Sequence, residues 1–555
     1  MPPRQPLTLA LASLLLIPLL AYLYQTLTPD SPTMSTPPPA AKPLIIVIGS
    51  GLAGLTASLS ALLSSPGVTV HVLDRAPKPG GNSIKASSGI SAAGTRFQPQ
   101  PDSPDIFYAD TIRSAGARLA ASTPRRREAR ERLVRLLTDR SASAVDFLSD
   151  ELGVDLGAVA QLGGHSVPRT HRGGGKKAPP PGAAIITSLL SKLRSSYGDK
   201  DGERGRFVLS TGAEVTRLLT TPSHSSSSSS SPNASSNGAP TVTGVEYTDP
   251  TSPNVPPKTL LGPVIFAAGG FAGDATGLLA RYRPDLAGLP STNEARPAAH
   301  DLLAGAGAEM VDMDSVQVHP TGFVDPQTPG ARVKFLAAEM LRGEGGILVD
   351  QGGKRFVNEL ETREVVSRRI MGGMDPVVVK GEGEGEGGSL RQWDVRLLLD
   401  AGAAEAAGGH VGFYLFKGLL VKVKVRELDE ATRGTLEEYA KVVSGEKKDE
   451  FGRTSFGHWR LGVDGEIDPE AEVCVGRVTP ITHFTMGGAL INENARVLAS
   501  GGVDGDEQPI DGLWAAGEIT GGIHGDNRLG GSSLLECVVF GRIAGQEAAK
   551  AALAV

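Results

Sequence analysis

Seven side chains have the types and grouping to do chemistry: His319, Glu339, Arg342, Arg363, His483, Glu518 and Arg528. They fall in the short segments QVHPT, EMLRG, NELETREVVS, THFTMGG and AAGEITGGIHGDNRLGGSSL. Taken singly, each has a plain structural reading. Glu339 and Arg342 are spaced to share one helix face, a pairing that contributes only about 0.3 kcal/mol on an ordinary surface, and histidines beside turns commonly satisfy backbone groups. Brought together, histidines and arginines make a pocket for a small dianion, because a guanidinium presents a fixed fork of donors that matches a carboxylate. The glycines around Arg528, from Gly521 to Gly531, let backbone approach a ligand closely.

These segments are far apart in sequence, so a larger frame must join them. Its start is legible near the N-terminus. An apolar, β-branched run, Leu44–Ile48 (LIIVI), enters Gly49-x-Gly51-x-x-Gly54, an alanine- and leucine-rich helical pattern follows over Leu52–Leu63, and a second strand pattern over Val68–Leu73 ends at Asp74, 20 residues after Gly54. Spacings of glycine alone are weak signals in a chain with 71 of them. Strand, glycines, helix, strand and terminal acid in this order are the βαβ dinucleotide fingerprint, with pyrophosphate at the helix N-terminus and the acid on ribose hydroxyls. NAD and FAD both satisfy it. The choice of FAD rests on Gly80-Gly81-Asn82-Ser83 and the small residues that continue to Gly94, which suit a backbone laid along an isoalloxazine ring, and on the lack of anything resembling a nicotinamide domain. The expected FAD contacts are Gly49, Gly51, Ala53, Gly54, Asp74, Arg75, Gly81, Asn82, Ser83, Ser87, Ser88, Gly89, Val215, Ala268, Gly269, Glu518, Ser533 and Leu534. Among them, Ala268 and Gly269 close a strand pattern, Pro263–Ala268, that turns sharply at glycine.

The fold class is therefore α/β: a Rossmann-like FAD-binding domain with an inserted α+β capping domain. At 555 residues and 40% hydrophobic content the chain can hold two such cores. The first part of the FAD domain is expected over 43–315, with a disordered serine-rich insertion at 222–240, the capping domain over 316–477, and the last part of the FAD domain over 478–555. Ahead of these, an apolar run from Leu7 to Tyr24 reads as a signal anchor within residues 1–34, followed by a linker over 35–42. That run lacks the amphipathic, arginine-rich character of a mitochondrial presequence, which favours the endoplasmic reticulum over the mitochondrion, and Met34 offers an internal start for a cytosolic form. A net charge of −6 and no basic tail argue against nucleic acid, and the basic run Pro124–Arg135 is expected to be a solvated helix face. Cys474 and Cys537 stand alone, so a disulfide framework, an iron–sulfur cluster and a c-type haem have no support, and electrons must come from outside the chain.

The series GSGLAG, GGN, HPTG, ExxRGEGG, NELETR, HFTMGG and GEITGGIHGDNRLGGSSL resembles the soluble fumarate reductase flavoproteins, kin of the flavoprotein subunit of succinate dehydrogenase, from about Pro43 to Ala548. The resemblance implies that His319, His483, Arg528 and the backbone near Gly531 hold the substrate carboxylates, that Arg363 donates the proton, and that Arg342 and Glu339 relay a replacement proton to it. It implies reduction of fumarate to succinate with electrons from an external donor, a reduced flavin or another reductant. Asn82 stands where covalently flavinylated relatives carry a histidine, so FAD is expected to be non-covalent. One departure is plain: the family's T-G-D-G turn is replaced by EARPAAHD, with Ala298 where an acid that helps hold the flavin is expected. Related enzymes acting on urocanate-like carboxylates, L-aspartate or ketosteroids share the flavin halves, and an inactive membrane-anchored scaffold is the reading outside the enzyme class.

Overall fold

The computed structural model describes residues 42–554 apart from 176–177, 201, 203, 223–238, 250, 252–254, 383–387 and 502–506. The expected signal anchor, the linker up to residue 41 and most of the serine-rich insertion lie outside the described residues. Among the described residues no helix is long and apolar enough to cross a membrane.

Leu44–Ile48 is the strand its composition dictates. Ile45, Ile46 and Val47 are wholly buried, as a parallel strand covered on both faces requires. It pairs in parallel with Thr69–Asp74 on one side and Val264–Phe266 on the other. Phe207–Thr211 extends the sheet beyond Thr69–Asp74, and Pro509–Ala515, Thr241–Thr248 and Glu214–Thr221 extend it beyond Val264–Phe266. The strand pairing thus closes a chain loop of more than two hundred residues, because Val264 lies beside Leu513. Helix Leu52–Ser64 packs against the C-terminal helix Ser532–Leu553. Their close approach follows from Gly541 and Gly545 on one helix facing Ala53 and Ala57 on the other, where any Cβ on the glycines would press on backbone carbonyls.

A second, antiparallel sheet lies between the two halves of this frame in sequence. Its order is Val316–Phe323, Glu472–Thr485, Val395–Leu399 and Ile347–Val349, with Val421–Lys424 also on Glu472–Thr485. The strand Glu472–Thr485 is 14 residues long and runs across the position, between 477 and 478, where the sequence places the end of the capping domain. It therefore carries residues of the capping sheet at one end and His483 at the other. Pro43–Val555 form one compact unit.

Helix Pro124–Asp139 is only partly the solvated face expected from its arginines. Arg130 is buried on the face that also carries Leu133, Val134 and Leu137, its Nε donates to the Gly522 carbonyl at 2.9 Å, and its Nη2 pairs with Asp312. One arginine of the run thus anchors the glycine-rich closing segment.

Candidate active site

The molecule holds a cleft of about 1220 Å³. Its wall contains Gly49, Gly51, Ala53, Asp74, Arg75, Gly81, Asn82, Ser83, Ser87, Val215, Ala268, Gly269, Glu518, Ser533 and Leu534, fifteen of the eighteen expected FAD contacts. Gly54, Ser88 and Gly89 lie off the wall. Gly54 instead sets the distance between helix and strand, since a Cβ there would collide with the Gly49 carbonyl, and Gly89 packs on the carbonyl of His171.

The cleft fits FAD on two observations. The N-termini of helices Leu52–Ser64 and Ser532–Leu553 both open onto it; neither is capped by its own N-cap residue, and although the Leu52 N–H donates to Ser83 Oγ at 3.2 Å, other first-turn amides are left for a ligand. The backbone at Gly49 (φ +102°) passes so close to Ala267 that a side chain would strike the Ala267 carbonyl. Asp74 accepts from the Ser50 backbone N–H at 2.8 Å and pairs with the Ser50 hydroxyl, which fixes the glycine loop to the end of the second strand. Glu518 accepts from the Thr485 N–H at 3.0 Å, and burial together with nearby Glu536 pushes its carboxyl up to about 7. In the EARPAAHD loop, the Ala298 N–H donates to Asp274 at 3.2 Å, and the same carboxylate caps Gly277 and Leu278. The loop is held by an acid from 24 residues earlier, and Ala298 lines the cleft.

Behind the stretch of wall formed by His483 and Phe484 the charged residues converge; His319, Glu339, Arg342, Arg363 and Arg528 are buried and are not themselves part of the cleft wall. Arg363 opens helix Arg363–Gly373, whose N-cap Thr362 accepts from the Val365 N–H, and the helix lies on strand Val316–Phe323 through Ser367, whose hydroxyl donates to the Val318 carbonyl at 3.0 Å. Arg363 Nη2 pairs with Glu339, and its Nη1 donates to Gln317 Oε1 at 3.3 Å and to the Arg528 carbonyl at 3.2 Å. Arg342 Nη2 lies 3.9 Å from the other oxygen of Glu339. Glu339 therefore stands between the two arginines, and burial of its carboxyl is outweighed by them, which holds it below the usual range. Arg528 donates from Nη2 to Gln317 Oε1 at 2.9 Å and sits 4.4 Å over the Phe484 ring, and burial followed by the charge of Arg363 lowers its guanidinium to about 9.

The two histidines are neutral, since burial and the surrounding guanidiniums hold both well below their ordinary value. Their tautomers follow from their partners. His319 Nδ1 accepts from the Thr321 N–H at 3.2 Å, so Nε2 carries the hydrogen, and that atom has no partner. His483 Nε2 lies 3.3 Å from Arg528 Nη2, which can only donate, so Nδ1 carries the hydrogen toward Thr292 Oγ1 at 3.4 Å. The rings are 5.3 Å apart, edge to face. His319 Nε2, Arg363 Nε, Arg528 Nε, and Nε and Nη2 of Arg342 are all buried donors without a hydrogen-bond partner in the protein. Gly531 is spent differently: its carbonyl accepts from the Ser91 N–H at 3.2 Å, and it begins the last helix in a left-handed conformation (φ +76°).

Sequence reasoning gave no role to Gln317, which joins the two arginines. Its Nε2 donates to Asn527 Oδ1 at 3.0 Å and to the Arg528 carbonyl at 2.9 Å while its oxygen receives both guanidiniums. The available signal was the i, i+2 spacing of Gln317 and His319, which puts them on one face of a strand. His524 and Glu536 form a second buried pair, at 2.5 Å, that no sequence motif marks.

A family model described as an FAD binding domain matches residues 45–534. The fumarate reductase of Schizosaccharomyces pombe is 40% identical over 523 residues, which covers 92% of this chain and 90% of that protein. Fumarate reductase 1 of Saccharomyces cerevisiae is 38% identical, over 91% of this chain and 98% of its own length. Among solved structures, the open conformation of a flavocytochrome c3 fumarate reductase superposes with a TM-score of 0.65 at 29% identity, covering 93% of this chain and 79% of that one. With its fingerprint cradle, inserted sheet and these relatives, the chain belongs to the FAD-binding flavoproteins of the fumarate reductase family.

Proposed function

We propose that this protein reduces fumarate to succinate with non-covalently held FAD, using electrons from an external reductant. The observation that carries the reading is a charge count in a closed space. Arg342 and Arg363 share one carboxylate, Glu339, Arg528 makes no salt bridge among the described residues, and the two histidines beside them are neutral, so positive charge is left over for a dicarboxylate. Buried charge without a counter-ion is costly, and the unpartnered donors on His319, Arg363 and Arg528 are what a dianion would take up.

When bound, FAD supplies the hydride. The chain's own residues do the rest. His319 Nε2–H and Arg528 hold carboxylate oxygens and favour the electron-rich transition state over the planar alkene. Arg363 delivers the proton to the second alkene carbon. A guanidinium is almost never deprotonated, but here Glu339 lies against Arg363 with Arg342 on its far side, so a replacement proton has a short path and no neutral guanidine need accumulate. Asn82 lines the cleft with an amide that forms no covalent flavin link. The apolar run Leu7–Tyr24 is the proposed membrane or targeting segment, for the endoplasmic reticulum or mitochondrion, with a soluble product starting at Met34.

The test is anaerobic. Holoprotein is reduced with dithionite, excess reductant is removed, and fumarate is added while the flavin absorbance is followed. Rapid reoxidation with one succinate formed per flavin is expected. A flavin that stays reduced in fumarate but reoxidises in urocanate or an aspartate-derived acceptor would reassign the substrate, and one that stays reduced in all of them would make the protein a scaffold.

A further inference from the structure

One turn of chain, residues 162–165, touches both the proton relay and the backbone beside Arg528. The turn is closed by the His165 N–H on the Leu162 carbonyl at 3.2 Å, with Gly164 in a left-handed conformation (φ +81°). From it the Gly163 N–H donates to Glu339 Oε1 at 3.1 Å, and His165 Nε2 lies 2.9 Å from the Gly530 carbonyl. The tautomer of His165 is set from behind. Its Nδ1 is 3.2 Å from Arg169 Nη1, which can only donate, so Nε2 carries the hydrogen and donates it to Gly530. Burial and then the charge of Arg169 lower the imidazole to about 4, which keeps it neutral. Arg169 is itself wholly enclosed and is paired with Asp102 and Asp110.

The Gly530 carbonyl receives a second hydrogen bond, from Ser91 Oγ at 2.8 Å. Two donors on one carbonyl matter here, because the peptide joins two glycines and no Cβ on either side resists its rotation. A trans peptide sets C=O and N–H on opposite sides, so a carbonyl pinned by His165 and Ser91 turns the Gly531 N–H the other way. That N–H has no backbone acceptor among the described residues. A Cβ on Gly530 would lie 3.1 Å from Arg363 Nη2, so this peptide borders the charged cluster. The same support reaches the other flank of Arg528. On helix Pro104–Ala120, Asp110 accepts from Arg169 at 2.6 Å, and Ser114, one turn later, donates from Oγ to the Asn527 carbonyl at 2.7 Å. Asn527 and Gly530 are thus tied to one helix with Arg528 between them. Packing of His165 on Phe107, with ring centroids 5.9 Å apart, needs only bulk, whereas the contact with Gly530 needs a donor.

We propose that His165, with Ser91 as its second, is a positioning residue for dicarboxylate binding: it clamps the Gly530 carbonyl so that the Gly531 N–H is held ready as a donor to a substrate carboxylate. The inference rests on the fumarate-reducing reading above and names what fixes the backbone of that site. His165 itself touches no substrate. Without its hydrogen bond the peptide between the two glycines can turn over, and a carbonyl oxygen then faces the dianion where an N–H is needed.

The test uses full-length holoprotein saturated with FAD and the probe malonate, a dianion with no alkene to reduce. Its binding is followed by the change it causes in the absorbance of oxidised flavin, beside KM and kcat for fumarate. His165→Leu keeps bulk and removes the donor, His165→Gln returns an N–H at similar reach, and Ser91→Ala removes only the second donor. The malonate dissociation constant and KM should rise about tenfold or more in His165→Leu and about threefold or more in Ser91→Ala, and stay within about threefold of wild type in His165→Gln, as loss or retention of a hydrogen bond to a charged group requires. FAD content and kcat should hold in all three. Unchanged malonate affinity in His165→Leu, equal weakening in the leucine and glutamine variants, or a fall in kcat as large as the rise in KM would overturn the clamp. If His165→Leu does not retain FAD, Ser91→Ala decides, and any smaller loss of malonate affinity there overturns the proposal. Wild-type protein that binds no malonate and, once reduced by dithionite, does not react with fumarate would instead overturn the functional reading.

Discussion

The FAD cradle and the charged cluster beside it recognise by opposite means. The FAD cradle relies on backbone, with first-turn amides at two helix starts and a glycine at position 49 that admits no side chain. The dicarboxylate site is made of long charged side chains from three separate segments, locked together by Gln317 and Glu339. A backbone cradle tolerates changes in most side chains and fails when a Cβ is added. An interlocked charge cluster is indifferent to small backbone changes and fails when one member is removed, because the remaining charges lose their counterpart.

The largest break falls on the charged end. Arg363→Ala should lower turnover by about 100-fold to 10,000-fold, the range for loss of a positioned proton donor, with FAD content unchanged by absorbance. A variant that keeps more than a tenth of the wild-type rate would remove Arg363 from the proton-donor role. The reciprocal break falls on the cradle. Gly49→Ala places a Cβ on the Ala267 carbonyl at a positive φ, a strain of about 1–3 kcal/mol, so FAD affinity should fall roughly tenfold to 100-fold. Equilibrium dialysis of the flavin checks this, and full FAD occupancy at wild-type affinity would contradict the steric argument. If each variant damages only its own end, the two recognitions are independent.

This contrast also explains what the sequence could disclose. The cradle follows a local rule, strand to glycines to helix to strand to acid, so Gly49, Gly51 and Asp74 were legible from spacing alone. Gly54, Ser88 and Gly89 were not separable from their neighbours, because whether a small residue faces the ligand or the next element depends on packing. At the charged end the residue types were visible, but their meeting depends on Glu472–Thr485 pairing with Val316–Phe323 more than 150 residues away, which no local pattern encodes. Family resemblance supplied those roles. It offered nothing about Asp274, which holds the altered loop at Ala298 from outside the motif, or about Arg130, whose burial is set by the face shared with Leu133 and Val134.

A finer test asks whether the charged end is positioned by its neutral member. Gln317 receives both Arg363 and Arg528 on one oxygen. Gln317→Leu keeps the volume and removes that acceptor, so kcat/KM for fumarate should fall about tenfold, the size of one charge-assisted hydrogen bond. The expected signature is a rise in KM together with a fall in kcat, since one arginine binds and the other protonates. An effect on KM alone would show that Gln317 aligns Arg528 without positioning Arg363.

The smallest effect probes the charge left over for the substrate. Burial and the neighbouring Arg363 bring Arg528 down to about 9 in the protein without substrate. Kinetics at low substrate report the titration of the free enzyme, and a dianion is held only while the guanidinium is charged. Activity must therefore be full below pH 8 and decline as the pH rises through 9. Between pH 8 and 9.5 the charged fraction of a group of that pKa falls roughly fourfold, and the apparent second-order rate of fumarate with pre-reduced protein should fall by the same factor. Lys334, lowered by burial to about 8, lines the cleft and could produce a similar limb. Lys334→Met separates the two, because the decline must persist in that variant if Arg528 causes it. A rate that stays flat to pH 10.5, or a limb that vanishes with Lys334, would show that the substrate site does not lower its own arginine, and that its positive charge is stabilised before the dianion arrives.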